Sequence, residues 1–205
     1  MGDNHNAIQI DIDTSGLEKA AEHLKHIQGG AQVAIKAALN TTAYSIRTNA
    51  GKEVFRAFAV KSQETATKRM FVKKATESNL TATVERRGPR FFAKDFPFDP
   101  NTSPGRRGGK AVFLRPRRDG SGWSLDAERN LSKAFVATLP SRGGGIYRRI
   151  GNHRNRLTHA RGLSVPDMLG DADVRRAVES AASQRLNKEV DIQIRKILAQ
   201  GEVTT

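Results

Sequence analysis

Leu131 to Leu169 reads LSKAFVATLPSRGGGIYRRIGNHRNRLTHARGLSVPDML, and the rest of the chain is organised around this stretch. Phe135, Ala137 and Leu139 stand at alternating apolar positions, the period of a half-buried strand. Pro140 and the run Gly143-Gly144-Gly145 break that pattern, and Ile146-Tyr147-Arg148-Arg149-Ile150 resumes it. Two strand-like runs parted this way predict a hairpin with a loop longer than a tight two-residue turn. The stretch closes on Ser164-Val165-Pro166-Asp167-Met168-Leu169, just ahead of the last helical pattern. Between Pro140 and Gly162 stand six Arg and no Asp or Glu. Charge of one sign on a sheet marks a surface for a partner more than a balanced solvated face.

Composition bounds the reading. A chain of 205 residues can form one domain with appendages and bury a real core. The apolar fraction is 37%, with 18 Gly and 7 Pro, so part of the chain is expected to be loop or arm. There is no Cys, which removes disulfides, thiolate nucleophiles and Cys-rich zinc sites. MGDNHNAIQIDID has neither the basic nor the apolar region of a signal peptide, and position 6 is Asn where myristoylation needs Ser or Thr. Nowhere do about 18 apolar residues run together. The expectation is a soluble protein made in the cytoplasm, with no membrane partner.

The net charge is +14, and its placement says more than its size. From Arg86 to Arg118 there are ten Lys or Arg against Asp95 and Asp99; from Asp119 to Leu139, Arg129 and Lys133 face three acids. With the six Arg that follow, nearly all the excess lies in the middle of the chain. Clustering of this kind implies a polyanion or an acidic protein surface as partner.

Taken in order, residues 7–13 alternate strictly, with Ile8, Ile10 and Ile12 on one face, and predict a short edge strand. Thr14 or Ser15 can cap a helix from about Leu17, where Leu17, Ala20, Ala21, Leu24 and Ile27 share a face. Gly29-Gly30 interrupts it. A longer helix is predicted from about Ala31 to Phe58, its stripe of Ile35, Leu39, Ala43, Ile46, Ala50 and Val54 one face wide, as for a helix lying on a sheet. Such a helix spans roughly 40 Å, and Gly51 offers a place to bend. Ser62 starts a helix of about two turns through Met70. Residues 71–75 and 80–87 form a hairpin with one wet face. Gly88 to Lys110 has no periodicity, four Pro and four Gly, and reads as a functional or disordered arm. Residues 111–116 and 123–125 predict another strand pair. Asp171 is a candidate N-cap for a final helix to about Gln200, with Val174, Val178, Ala181, Leu186, Val190 and Ile194 along it, Arg195 and Lys196 in its last turn and Gly201 as its stop. The fold class is α+β: a small antiparallel sheet flanked by long N-terminal and C-terminal helices, with an extended Pro/Gly/Arg-rich arm. A single domain is expected, with the N-terminal strand and helices at 7–58, a β-rich basic region at 71–150 containing the arm 88–110, and the C-terminal helix at 171–200.

Three phrases, in this order, resemble the minor tail protein Z family of long-tailed bacteriophages. They are Ala38-Leu39-Asn40-Thr41-Thr42-Ala43 with Ile46-Arg47, Phe135-Val136-Ala137-Thr138-Leu139 with Gly145-Ile146-Tyr147-Arg148-Arg149, and Ser164-Val165-Pro166-Asp167-Met168-Leu169. The resemblance covers roughly Ala31 to Leu198; Phe91 to Gly122 departs from it and reads as an insertion or elaborated arm. The resemblance implies an α+β neck protein that completes the tail at its head-proximal end. It implies a structural virion component and no cofactor. Its partners would be copies of itself in a ring, taken as a hexamer, and the tail-terminator and head-closure proteins on either side.

Each feature has a plainer reading. The helix stripes are core, or pack on a neighbouring subunit. The basic clusters Arg86, Arg87 and Arg90; Arg106, Arg107 and Lys110; Arg115, Arg117 and Arg118; and Arg148, Arg149, Arg154 and Arg156 are either a solvated surface or a contact with channel DNA or an acidic ring neighbour. Phe91, Phe92, Phe96 and Phe98 either stack on bases or anchor the arm onto its own domain or a neighbour during assembly. Enzymatic readings lack support: Ala111 follows Gly109-Lys110 where a phosphate loop needs a hydroxyl, and Ser141 and Ser164 have no nucleophile-elbow setting. His153 and His159 are badly spaced for a metal in an Arg-rich segment, and His23 and His26 lack a carboxylate partner in the pattern. Asp95 and Asp99 sit among prolines as turn residues more than as an acid and base. The rival from another class is a free basic nucleic-acid-binding protein, and a phage nuclease comes third.

Overall fold

A computed structural model describes residues 15–27, 29–86, 90–99, 112–121, 123–124, 134–140, 143–151 and 156–202. The elements are α1 (Ser15–His23), α2 (Gly30–Ala57), α3 (Gln63–Thr67), β1 (Met70–Lys73), β2 (Thr83–Arg86), a 3-10 turn (Ala93–Asp95), β3 (Phe98–Asp99), β4 (Phe113–Leu114), β5 (Trp123–Ser124), β6 (Phe135–Leu139), β7 (Gly143–Arg149), β8 (Leu157–His159), α4 (Val165–Leu169) and α5 (Ala172–Glu202). The class is α+β, as expected. Among the described residues the strands form three small antiparallel sheets, β1-β2, β3-β4-β5 and β6-β7-β8, where one was expected. The backbone groups into two compact units: Met1–Glu53, Thr67–Arg87 and Leu169–Thr205 form the first, and Val54–Ala66 with Gly88–Met168 the second. The strand expected at 7–13 lies outside the described residues.

The first unit is built on a helical core. Ala20 and Leu24, Ala34 and Ala38 of α2, and Leu186, Val190 and Ile194 of α5 form one buried cluster, with Leu17, Ile27, Ile35, Leu39 and Ile197 packed at its margin. The N-terminal half of α2 therefore packs its small-residue ridge among helices. Its buried ridge begins one residue earlier than expected, on Ala34 and Ala38 with Ile35 and Leu39 beside them, because small side chains let helix backbones approach closely. Ala21, expected on the buried face of α1, is exposed, and α1 ends before Leu24. Gly29 makes the break: at φ +71° it occupies the left-handed region that stops one helix and admits the next. α2 stays helical through Gly51.

In the same unit the expected hairpin forms, with Phe71 opposite Glu85 and Val72 opposite Val84. The Asn40 side chain ties its end to α2, accepting from the Ala75 N–H at 2.7 Å and donating to the Ala75 carbonyl at 3.1 Å. Asp171 caps α5 by accepting from the N–H groups of Asp173 and Val174. Buried Val174, Val178, Ala182, Leu186, Val190 and Ile194 follow at four-residue steps. The buried alanine is Ala182, not Ala181. The helix runs past Gly201 to Glu202, so Arg195 and Lys196 stand before its last turn.

The second unit holds the two three-stranded sheets. Ser62 caps α3, its hydroxyl accepting from the Thr65 N–H at 3.2 Å, and the helix is one turn long, shorter than expected, because Met70 is already in β1. β6 and β7 pair antiparallel from Phe135–Tyr147 to Leu139–Gly143, so the three glycines belong to a strand and not to the loop. β8 extends that sheet, pairing Tyr147 with His159 and Arg149 with Leu157. Ser164 and Asp167 cap α4 reciprocally: Asp167 Oδ2 accepts from the Ser164 N–H at 2.8 Å, and Ser164 Oγ accepts from the Asp167 N–H at 3.4 Å. Phe91, Phe96, Leu114, Ile146, Tyr147, Leu163 and Met168 are among the buried side chains of this unit.

Candidate functional site

The positively charged segments of the sequence fall mainly in the second unit, and the structure sorts their side chains by what each already touches. Some are neutralised at home. Arg115 meets Asp99 at 2.8 Å across the β3–β4 pairing. Arg117 meets Asp119 at 3.0 Å, and Lys61 meets Asp95 at 3.3 Å. Asp119 also accepts from the Ser121 hydroxyl and N–H, and these bonds, with Arg117 beside them, hold its carboxyl below the ordinary aspartate range. In the first unit Lys36 does the same for Glu77.

Others sit over aromatic rings. Arg118 is 4.6 Å from the Phe55 ring centre and donates to the Phe55 carbonyl at 2.8 Å. Arg117 lies over Phe58 at 5.6 Å, Arg115 over Phe113 at 5.8 Å, and Arg149 over Phe135 at 5.4 Å. Arg161 covers Phe92 at 4.3 Å and donates to the Arg90 carbonyl at 3.2 Å. A guanidinium over a ring gains a cation–π contact and keeps its charge.

Arg148 and Arg156 complete the set. Both are exposed, and among the described residues no carboxylate lies within ion-pair reach of either. Arg90 is exposed as well. Arg86 is placed by its backbone at the end of β2, opposite Met70, in the first unit. Arg87, Arg106, Arg107, Lys110 and Arg154 lie outside the described residues, as does the arm from 100 to 110.

The four phenylalanines divide. Phe91 and Phe96 are 4% and 3% exposed and meet edge to face at 6.0 Å, while Phe92 and Phe98 are half-buried. The segment is stitched to the strand end beyond β8: Phe91 donates to Leu163, Ala93 to Ala160, and Gly162 to Phe91, at 2.8–3.0 Å. Of the alternatives for these rings, Phe91 and Phe96 anchor the chain onto its own domain, and residues 90–99 are a packed part of the second unit, not an extended arm. Arg161 and the rings of Phe55 and Phe58 were missed in the sequence, since each partner lies tens of residues away and no local pattern pairs them.

Gly109 to Ala111, Ser141 and His153 lie outside the described residues, and several of the other groups weighed for catalysis have structural employment. Asp95 accepts from the Phe92 N–H, Asp99 holds Arg115, Ser164 caps α4, and His159 lies between the rings of Phe92 and Tyr147 at 5.2 and 4.6 Å. His23 bonds the Lys19 carbonyl of its own helix. Among the described residues no cluster of three or more His, Asp or Glu is placed to hold a metal ion, and no helix is long and apolar enough to cross a membrane. Neither the curated proteins nor the solved structures yield a match to the chain. A family model described as prophage minor tail protein Z matches residues 14–200.

Proposed function

The chain belongs to the prophage minor tail protein Z family and is thus a structural protein of a phage tail, and from that premise we propose that it completes the tail at its head-proximal end. It does so as a closed homo-oligomeric ring between the tail-terminator and head-closure proteins, with its basic surface turned to channel DNA or to an acidic neighbour. The observation that carries the reading is the extent of the match, which runs from α1 to α5 and takes in both units. The chemistry of the units supports it. A ring that closes through head-to-tail contacts needs two unlike faces on each subunit. A helical unit and a basic, sheet-bearing unit supply unlike surfaces.

The test is to disrupt the gene in its phage and image the lysate, alongside sedimentation and negative-stain images of the purified chain. The expected result is tails that do not join heads, restored by supplying the protein, and rings alone or with a tail-tube partner. Normal virions without the gene, together with a monomer that binds duplex or RNA tightly and selectively, would transfer the assignment to a free nucleic-acid-binding protein.

A further inference from the structure

Arg161 of the second unit is held from two sides. It stands opposite Phe92 in an antiparallel bridge, with its Cζ 4.3 Å from the centre of that ring, and its Nη1 donates to the Arg90 carbonyl at 3.2 Å. The ring is itself buttressed: His159 meets it at 5.2 Å, and Tyr147 meets His159 at 4.6 Å. Lys94 brings a second cation to the same ring, its Nζ 6.0 Å from the centre. A Cβ on Gly145 would lie 3.4 Å from Lys94 Cδ, so the lysine stem rests against β7.

Both cations are exposed, and among the described residues no carboxylate lies within ion-pair reach of either. The acid beside them in the chain, Asp95, is already engaged: one oxygen accepts from the Phe92 N–H and the other meets Lys61 at 3.3 Å. Two cations gathered on one ring repel each other until an anion joins them. A guanidinium fixed by a ring and a carbonyl has also lost much of the freedom that binding would otherwise cost. The pair is a preorganised seat for oxyanions.

The chain carries a complement of its own. Glu18 and Glu22 of α1 are exposed and one helical turn apart, and among the described residues neither has a cation within ion-pair reach, Lys19 and Lys25 included. Side chains four apart on a helix have Cβ atoms about 5–6 Å apart, so like charges there are destabilising. The helix dipole favours Glu18 in the first turn but not Glu22 near the end. The acidic pair lies in the first unit and the basic pair in the second, so each copy can offer one to the copy before it and the other to the copy after it. Those are the unlike faces that a closing ring requires. A duplex would leave the acidic pair without a purpose, and it rewards cations spread along its backbone more than two on one ring.

Resting on the ring reading above, we infer that Lys94 and Arg161 of each subunit dock on Glu18 and Glu22 of a second copy. Exposed ion pairs add little affinity, so this contact sets register and partner choice while the rest of the interface supplies strength.

Sedimentation of the full chain over a range of protein concentrations tests this, at low salt where surface charges are least screened. Wild type should associate. Lys94→Glu with Arg161→Glu should raise the concentration needed for association by more than about tenfold, because like charges then face each other, and Glu18→Lys with Glu22→Lys should do the same. All four reversals in one chain should bring association back. So should mixing the two double variants, since each then matches the other at both contacts; a chain that had merely lost its fold would do neither. Unchanged association in either double variant, no recovery in the four-fold variant or the mixture, or a wild type that stays monomeric overturns the inference. So does a mixed-sequence DNA duplex whose binding is lost in Lys94→Glu with Arg161→Glu while association is unchanged, which would assign the cluster to nucleic acid. Tail completion is scored apart, by images of the phage. Tails that fail to join heads without the gene, beside unchanged association in the double variants, refute this contact alone, whereas normal virions without the gene refute the tail assignment.

Discussion

Gly162→Ala tests whether residues 90–99 are seated in the second unit. Gly162 is buried, and its N–H donates to Phe91 at 2.8 Å. A methyl placed there meets Phe96 Cε2 at 2.8 Å and Cδ2 at 3.0 Å, with the Ala93 Cα at 3.5 Å behind. Carbon atoms rest about 3.5–4.0 Å apart, so the Phe96 ring must retreat by more than half an ångström. It has little room, being buried edge-on against Phe91. Overpacking of this kind costs about 1–3 kcal/mol. The opposing term, reduced freedom of the unfolded chain, is about 0.4–1 kcal/mol, so the clash wins. We expect a net loss of roughly 1–2 kcal/mol, or about a 5- to 30-fold drop in local protection. Hydrogen exchange reads it at the amides of Phe91 and Ala93, which donate to Leu163 and Ala160. Phe96→Leu in the same chain should recover part of the loss, a non-additivity that marks direct contact. Unchanged protection at both amides in Gly162→Ala would refute the packing described here.

Leu186→Ala empties the centre of the first unit's helical cluster, where Leu186 is 1% exposed, and should cost about 2–5 kcal/mol in denaturant unfolding. A loss below 1 kcal/mol would show that the α1, α2 and α5 residues do not share one core. Ser121→Ala removes the leading cause of the Asp119 shift and should raise the carboxyl's NMR titration midpoint toward the ordinary aspartate value. Because the folded-state value is depressed, the turn's contribution is complete above the unfolded value and disappears as pH falls through the folded one. Acid loosening of this turn should accordingly begin below the ordinary aspartate range and move up in the variant.

Long repeating patterns were legible in the sequence because many residues repeat one message. The stripe of α5 and its Asp171 cap agree over seven turns, and β6 and β7 pair where the alternation of Phe135 to Leu139 places them. Short elements were not. Leu157-Thr158-His159 is a three-residue strand defined by its partner β7, not by a period of its own. The one-turn α4 was readable only through Ser164 and Asp167, whose spacing fits a capping box but whose helix has too few residues to repeat. Gly143 to Gly145 read as a break because glycine disfavours strands. Paired with Ala137 in the ladder, Gly145 is held in the strand by its partner, and a Cβ there would lie 3.4 Å from both His159 Nδ1 and Lys94 Cδ, about van der Waals distance.

Charge was legible as an amount but not as a field. The middle of the chain is rich in both Arg and Phe, and sequence alone treats each as a separate invitation, one to phosphates and the other to bases. Folding spends them partly on each other. Arg115, Arg117, Arg118, Arg149 and Arg161 lie on five different phenylalanine rings, and Arg115 and Arg117 each hold a carboxylate besides. A guanidinium already bonded to a carboxylate brings little net charge to a partner, because binding must first break or share that pair. One stacked on a ring keeps its full charge and loses only part of its hydration, so it remains available. Counting arginines in a segment therefore overstates the outward field wherever acids are near in space though distant in sequence, as Asp99 is from Arg115. Pro140 to Gly162 carries no acid in its own sequence, and Arg148 and Arg156 of that stretch are exposed. The converse holds at Lys94: an acid stands next to it in the chain, yet Asp95 is spent on Lys61 and the Phe92 N–H, which leaves Lys94 and Arg161 to an anion from outside.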